Sequence, residues 1–407
     1  MLRATRSFAT DAGATAPPAP ASAPKLGRAA FALDPESVWF NGGANSPLPA
    51  AVADAVQQSL TRQLSPERLG GMDTIYAEPD SIRERLARVL GLPAEQIGLT
   101  HSSVNSVLLL AHALALDPGK RGRRILIGPD EFPADVYPWF ALESLGFKCE
   151  HIGRSGHPLT PEDVAHALDA PGDVAVLALG VPHYVTGDIP PVPAFAERLK
   201  STGAWLVVDA SQSAGAVALD WAGLGADAIF FSGYKWLLGP YGTGAMWARN
   251  ALIERLAPAG GNWWALEDAP DMDRIMARWP RNYLLHGRGM DGGQSAAYFD
   301  VPAWRAGLDT LLGFGVPAVE AHQRALQDAI VEAVRGSVWR VLTSLDRPRR
   351  SPLLLLEGGD APATAQALAR QHVYVSARNG RLRVTPGAWS EPADVDRFAR
   401  ALRAVSA

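Results

Sequence analysis

Cysteine is nearly absent from this 407-residue chain. Cys149 stands alone, which excludes an intramolecular disulfide framework and a metal site built from several thiolates. A charge excess is lacking too. Thirty-eight basic side chains face 42 acidic ones, and the sequence pI is near 6.2. That balance argues against a nucleic-acid partner, which selects a basic surface. No apolar run approaches the ~20 residues of a membrane span; those at 104–116 and 174–181 are broken by His, Asn or Gly. Also missing is a Gly-x-Gly-x-x-Gly turn after the first strand with an acid further on, so a nicotinamide-binding Rossmann protein is set aside. A cytoplasmic home fits the cysteine usage, although a secreted protein without disulfides reads the same.

The N-terminal residues are rich in Ala, Pro, Ser and Thr and have no continuous apolar segment, so a secretory signal is not expected. Residues 1–28 read as a disordered leader, with an organelle-targeting presequence as the alternative. Short apolar runs then alternate with helical stretches from Ile97 to Ser232, the pattern of a mostly parallel sheet covered on both faces. Beyond Asp300 two long helices lead into a small α+β segment. The division expected is therefore a large domain over 29–300 and a small C-terminal domain over 301–407. Residues 29–65 contribute to the small domain or the substrate pocket.

Two strands end in polar residues that carry chemistry. Trp205-Leu206-Val207-Val208 runs into Asp209-Ala210-Ser211-Gln212, and Phe230-Phe231 into Ser232-Gly233-Tyr234-Lys235. Ligands of open α/β sheets bind outside the carboxyl ends of strands, so Asp209 and Lys235 are expected at one crevice. An amine and a carboxylate there suit a Schiff-base cofactor: the lysine makes the link and the aspartate holds a pyridinium proton. Taken singly, Asp209 also fits a helix cap and Lys235 a solvated loop.

These two elements, with Gly239-Pro240-Tyr241-Gly242-Thr243-Gly244 after them, resemble the class V aminotransferase family of pyridoxal-phosphate enzymes. The resemblance implies fold type I: an α/β large domain with a mostly parallel seven-stranded sheet flanked by helices, plus a smaller α+β C-terminal domain. It implies pyridoxal 5′-phosphate as cofactor and a homodimer with the site at the subunit interface. It places Ser102 and Ser103 at the cofactor phosphate, where a helix N-terminus also favours an anion. Phe132 then stacks on the pyridine ring, with Asp135 a polar contact beside it. Gln212 sits near the ring's phenolic oxygen, and Tyr234 reaches the phosphate. In the segment before Tyr298, Gln294 and Ser295 take the place of the residues that complete a neighbouring subunit's phosphate site. Trp263, in Asn262-Trp263-Trp264, resembles a kynureninase tryptophan that approaches the cofactor, although a core or interface role is equally open.

For the substrate, Arg383 matches the family's carboxylate-binding arginine, with Arg378 as a second candidate. Asn45 and His183 are further pocket candidates; a bland surface histidine is the alternative for His183. A carboxylate clamp implies an amino-acid substrate. The Phe132-Pro133-Ala134-Asp135 form and the paired tryptophans favour a kynureninase-like lyase or hydrolase that breaks a C–C or C–S bond. The Tyr298 to Ala303 stretch resembles the isopenicillin-N-epimerase-like branch. Aminotransferase or epimerase activity is the alternative within the family, and a catalytically silent binding protein the alternative outside it. Because no cysteine precedes Pro352 on the expected loop, a desulfurase with a cysteine nucleophile is not expected. No metal ligand set is expected either.

Overall fold

The polypeptide enters through a two-residue strand, β1 (Val38–Trp39), and two helices, α1 (Ala50–Gln63) and α2 (Met72–Leu90). The structure, a computed structural model, describes residues 25–70, 72–117, 119, 123–292 and 297–406. Most of the leader, together with Gln294 and Ser295, lies outside the described residues. Sequence periodicity predicts the second helix only from Ile82, yet α2 begins ten residues earlier and runs through Pro79. Its Ile82 and Leu86 are fully buried one turn apart and seat the helix on the core.

Seven strands follow: β2 (Ile97–Thr100), β3 (Arg124–Ile127), β4 (Lys148–His151), β5 (Val174–Gly180), β6 (Trp205–Asp209), β7 (Ala228–Ser232) and β8 (Gly244–Ala248). They form one sheet in the order β2-β8-β7-β6-β5-β3-β4, and only β8 runs against the others. Between them lie α3 (Ser103–Leu116), α4 (Pro133–Phe140), α5 (Pro161–Asp169) and α6 (Val192–Leu199); α7 (Asn250–Gly260) follows β8. Every residue of β5 is buried, as expected of a strand covered on both sides. Alternation along β6 divides the core. Trp205 and Val207 pack with α3, α4 and α7, whereas Leu206 and Val208 face α2, α5 and α6. The single helix predicted over 136–145 is instead α4 and a 3-10 turn at Ala141–Leu145, with Pro138 inside α4.

After α8 (Met272–Arg278), the long helices α9 (Asp300–Phe314) and α10 (Val316–Val334) lead to β9 (Arg340–Val341) and β10 (Leu354–Glu357). Next come α11 (Ala361–Ala369), β11 (Val373–Tyr374), β12 (Ser376–Arg378), β13 (Arg381–Val384) and α12 (Pro392–Ser406). A second, antiparallel sheet has the order β12-β13-β10-β9 and its own core, in which Leu354, Leu382 and Phe398 are fully buried. β1 pairs in parallel with β11, and Val38 and Phe40 join that second core. The N-terminal residues therefore reach across to the C-terminal part, and the loop after β1 lies between the two sheets' ends. Among the described residues no helix is long and apolar enough to cross a membrane.

Candidate functional site

Asp209 closes β6 and Ser232 closes β7, and Ser211 ties the two strand ends together. The Ser211 N–H donates to Asp209 Oδ1 at 2.8 Å, while Ser211 Oγ accepts the Ser232 N–H at 3.0 Å. Lys235 follows one turn later and is buried. Its Nζ makes no hydrogen bond or ion pair among the described residues. It lies 5.7 Å from the Phe132 ring centroid and 5.8 Å from that of Tyr234. Burial lowers the Lys235 pKa, against the pull of Asp209 and Asp135, and the Arg383 charge lowers it further. These groups face a cavity of about 180 Å³ whose wall also includes Gly43, Glu131, Tyr184, Gln212 and Arg378.

Three carboxyl groups gather on the large-sheet side of that cavity. Asp135, in the first turn of α4, is buried, and its oxygens accept no hydrogen bond among the described residues. Burial raises its pKa well above the ordinary range, and the Asp209 charge adds to the rise. Glu131 follows β3; its Oε2 accepts the Gly180 N–H at 2.9 Å. A Cβ at Gly128 would lie 2.3 Å from Oε1 and one at Gly180 2.8 Å from Oε2, so the carboxyl fits only because both positions are glycine. Burial is the main cause that lifts the Glu131 pKa to about 8, with Asp209 and Asp130 adding to it.

This has a consequence for stability. Glu131 keeps its proton up to about pH 8 when folded, but only to about its ordinary 4.5 when unfolded. Across that window the folded state binds more protons, so stability falls as pH rises. Glu131→Gln should remove this fall. The melting temperature of the variant should match wild type near pH 4.5 and exceed it at pH 8. A variant-to-wild-type difference that does not change between those two pH values would contradict the burial argument.

The opposite wall comes from the small sheet. Arg383 on β13 is buried, its Nε lacks a partner among the described residues, and its guanidinium stands 5.9 Å from the Tyr184 ring. Burial brings its pKa to about 10, so it stays charged at neutral pH. An unpaired buried cation is costly, and an anion delivered to the cavity relieves that cost. Gln212 is at the wall, but its amide is already in use. Nε2 donates to the Gly43 carbonyl at 2.8 Å and Oε1 accepts from Trp236 Nε1 at 3.2 Å. It thus fixes the loop after β1 against the site.

The structure brings Phe132, Asp135, Asp209, Gln212, Tyr234, Lys235 and Arg383 to one cavity. Tyr234 is also stacked on Tyr241, with centroids 4.2 Å apart, and burial raises its pKa. Ser102 and Ser103 begin α3 just beyond the wall. Ser102 Oγ caps the helix by accepting the Asn105 N–H, and Ser232 Oγ donates to Ser103 Oγ at 3.2 Å. The Ser103 and Val104 N–H groups are left without a partner among the described residues, which suits an anion.

Besides Ser102 and Ser103, three further candidates are not at the wall. His183 is buried with both ring nitrogens engaged, Nδ1 with Thr186 Oγ1 at 3.0 Å and Nε2 with the Pro129 carbonyl at 3.1 Å. Burial lowers its pKa. Asn45 accepts the Trp39 indole N–H on its backbone carbonyl at 2.9 Å. Trp263 lies against Trp264 at 4.4 Å, away from the cavity. Glu131 and Tyr184 line the site without having been selected from the sequence. The rule that selected Asp209, an acid just past a strand's carboxyl end, also fits Glu131 after β3.

A model of the aminotransferase class-V family matches residues 38–386. The chain belongs to the class V aminotransferase family. Its cofactor is pyridoxal 5′-phosphate. The site accommodates that group: the Lys235 amine, the carboxyl of Asp135 with no donor to its oxygens among the described residues, the carboxyl of Asp209 and a facing phenyl ring all meet at one cavity.

Among its relatives, a probable cysteine desulfurase of Aeropyrum pernix is 27% identical, over 55% of each chain. The isopenicillin N epimerase of Streptomyces clavuligerus is 26% identical over 93% of this chain and 97% of its own. The kynureninase of Deinococcus radiodurans is 30% identical over 62% of each. In structure, a cysteine desulfurase of Escherichia coli superimposes with a TM-score of 0.77 at 23% identity, covering 93% of this chain and 97% of that one.

These relatives overturn the exclusion of a cysteine-nucleophile desulfurase drawn from the sequence, since several class V relatives of this chain carry that name. The exclusion relied on one loop position. Cys149 itself lies on β4, its thiol 3.3 Å from the Trp139 carbonyl, with its pKa pushed up to about 12 by burial. That describes one thiol and does not decide the reaction.

Proposed function

We propose that this class V protein is a lyase that breaks a C–S or C–C bond of an amino-acid substrate. The reading is carried by one observation: Lys235, Asp209 and the unpaired Arg383 share one cavity. The bound cofactor supplies an electron sink for the pair released when a bond at the substrate α-carbon breaks. Lys235 Nζ would hold the cofactor covalently and, when free of it, would carry the substrate α-proton. Its lowered pKa increases the neutral fraction that this role needs. Asp209 would accept the N–H of the heterocycle, and Asp135 and Glu131, whose pKa values are raised, would keep other charge off that wall. Arg383 would grip the substrate α-carboxylate, and the Phe132 ring would cover the cofactor.

The cysteine desulfurase and kynureninase names among the relatives support bond cleavage at the side chain. Near-complete alignment with an epimerase supports a second reading, inversion at the α-carbon. Mass spectrometry and chiral analysis of a panel of amino acids incubated with the loaded protein separate the two. Cleaved side-chain products support the lyase; inversion without new products replaces it with the epimerase, and keto-acid products alone replace it with a transaminase.

We also propose a homodimer. Tyr241, Trp263 and Phe299 expose large aromatic surface, which a second copy would cover. Sedimentation at micromolar concentration should give twice the 43.3 kDa chain mass; an active species at the single-chain mass would contradict it.

A further inference from the structure

We propose that Arg378 and Arg381 form a second anion subsite beside Arg383, and that the substrate is an amino acid whose side chain ends in a carboxylate or a similar anion. The inference rests on the amino-acid reading above and deepens it. β12 and β13 pair antiparallel with Ser376 opposite Arg383, Ala377 opposite Leu382 and Arg378 opposite Arg381. Opposed residues share a face and faces alternate along a strand, so Arg378, Arg381 and Arg383 lie on one side. Leu382 and Ala377 take the other side and pack into the small-sheet core. The arginine side is the cavity side, because Arg378 and Arg383 both line the cavity.

None of the three guanidinium groups has an ion pair among the described residues. Elsewhere the fold supplies acids to such arginines, as Glu150 to Arg124 and Asp188 to Arg349. Arg378 instead donates to the Ala377 carbonyl at 2.9 Å. Three like charges on one short hairpin repel, and a single α-carboxylate occupies only one guanidinium fork. Arg383 is the buried member, whereas Arg378 is exposed and Arg381 half-buried at the turn. Diagonal neighbours in such a pair stand about 7–8 Å apart, a gap that a chain of a few carbons bridges. The acids of the cavity, Glu131, Asp135 and Asp209, all belong to the opposite wall, so a second anion is directed to the hairpin.

Two inert acids that share a three-carbon alkyl segment on one carboxylate and differ by the second carboxylate test this: glutarate and butyrate, each titrated by calorimetry into the cofactor-loaded protein. Glutarate should bind about tenfold or more tightly than butyrate, the scale of one further charge-assisted contact. In the double variant Arg378→Gln, Arg381→Gln that ratio should fall toward one. A ratio near one in the wild-type protein overturns the proposal, and so does a ratio that the double variant leaves intact. The wild-type ratio needs no variant to fold. Failure of the amino-acid reading is read separately: loaded protein would then show no spectral response to any amino acid, whatever the acid ratio.

Discussion

Lys235→Ala should abolish turnover while leaving the fold intact. Loss of a positioned proton carrier alone lowers rate by about 10²–10⁴-fold, and this variant also loses the covalent link to the cofactor. Stability should move the other way. Lys235 is buried without a hydrogen bond or ion pair among the described residues, and burial disfavours its charge more than Asp209 and Asp135 favour it, so its removal relieves a desolvation cost and strands no bonded partner. The expected pair of results is therefore a melting temperature at or above wild type together with turnover at background. Near-normal turnover by the variant would show that another amine serves the reaction. A collapse in melting temperature would instead show that the lysine is a structural element.

Asp209→Asn should cost at least about 10²-fold in kcat, the upper range of one charge-assisted hydrogen bond. The asparagine retains an acceptor for the Ser211 N–H, which Asp209 Oδ1 now takes at 2.8 Å, so the strand end should persist. What disappears is the charge that supports a protonated heterocycle. Asp209→Ala should be worse, because it also leaves the Ser211 N–H without that bond. An asparagine variant with near wild-type kcat would remove charge from the account and leave only shape. A second readout follows from electrostatics: Asp209 is among the causes that raise the proton affinity of Asp135 and Glu131. In the asparagine variant the fall in stability attributed to Glu131 should be smaller and should end at a lower pH.

The central strands of the large sheet, β5, β6 and β7, are legible because they are near-continuous apolar runs ending in polar residues. β5 and β6 announce themselves in this way, and the polar ends of β6 and β7 point to Asp209 and Lys235. β8 was not legible. Its Gly244-Ala245-Met246-Trp247-Ala248 run lacks β-branched residues, and it is held by pairing with both β2 and β7 rather than by propensity. The early start of α2 was hidden by Pro79, which reads locally as a boundary but is tolerated where the helix is held by its buried face.

At the site, residue types that fit the chemistry could be found, but their competing partners could not. Gln212 spends its amide on Gly43 and Trp236, residues remote in sequence. His183 is turned inward by the Pro129 carbonyl. The common face of Arg378, Arg381 and Arg383 follows from strand register, which one sequence does not display.

The central claim is that one amine, at position 235, holds the cofactor. It is tested by reducing the loaded protein with borohydride, digesting it and locating the cofactor mass by peptide sequencing in the mass spectrometer. The account predicts a single modified peptide, the one that contains Ser232-Gly233-Tyr234-Lys235. Modification at Lys25, Lys120, Lys148 or Lys200 with Lys235 unmodified, or no fixed cofactor at all, would contradict it.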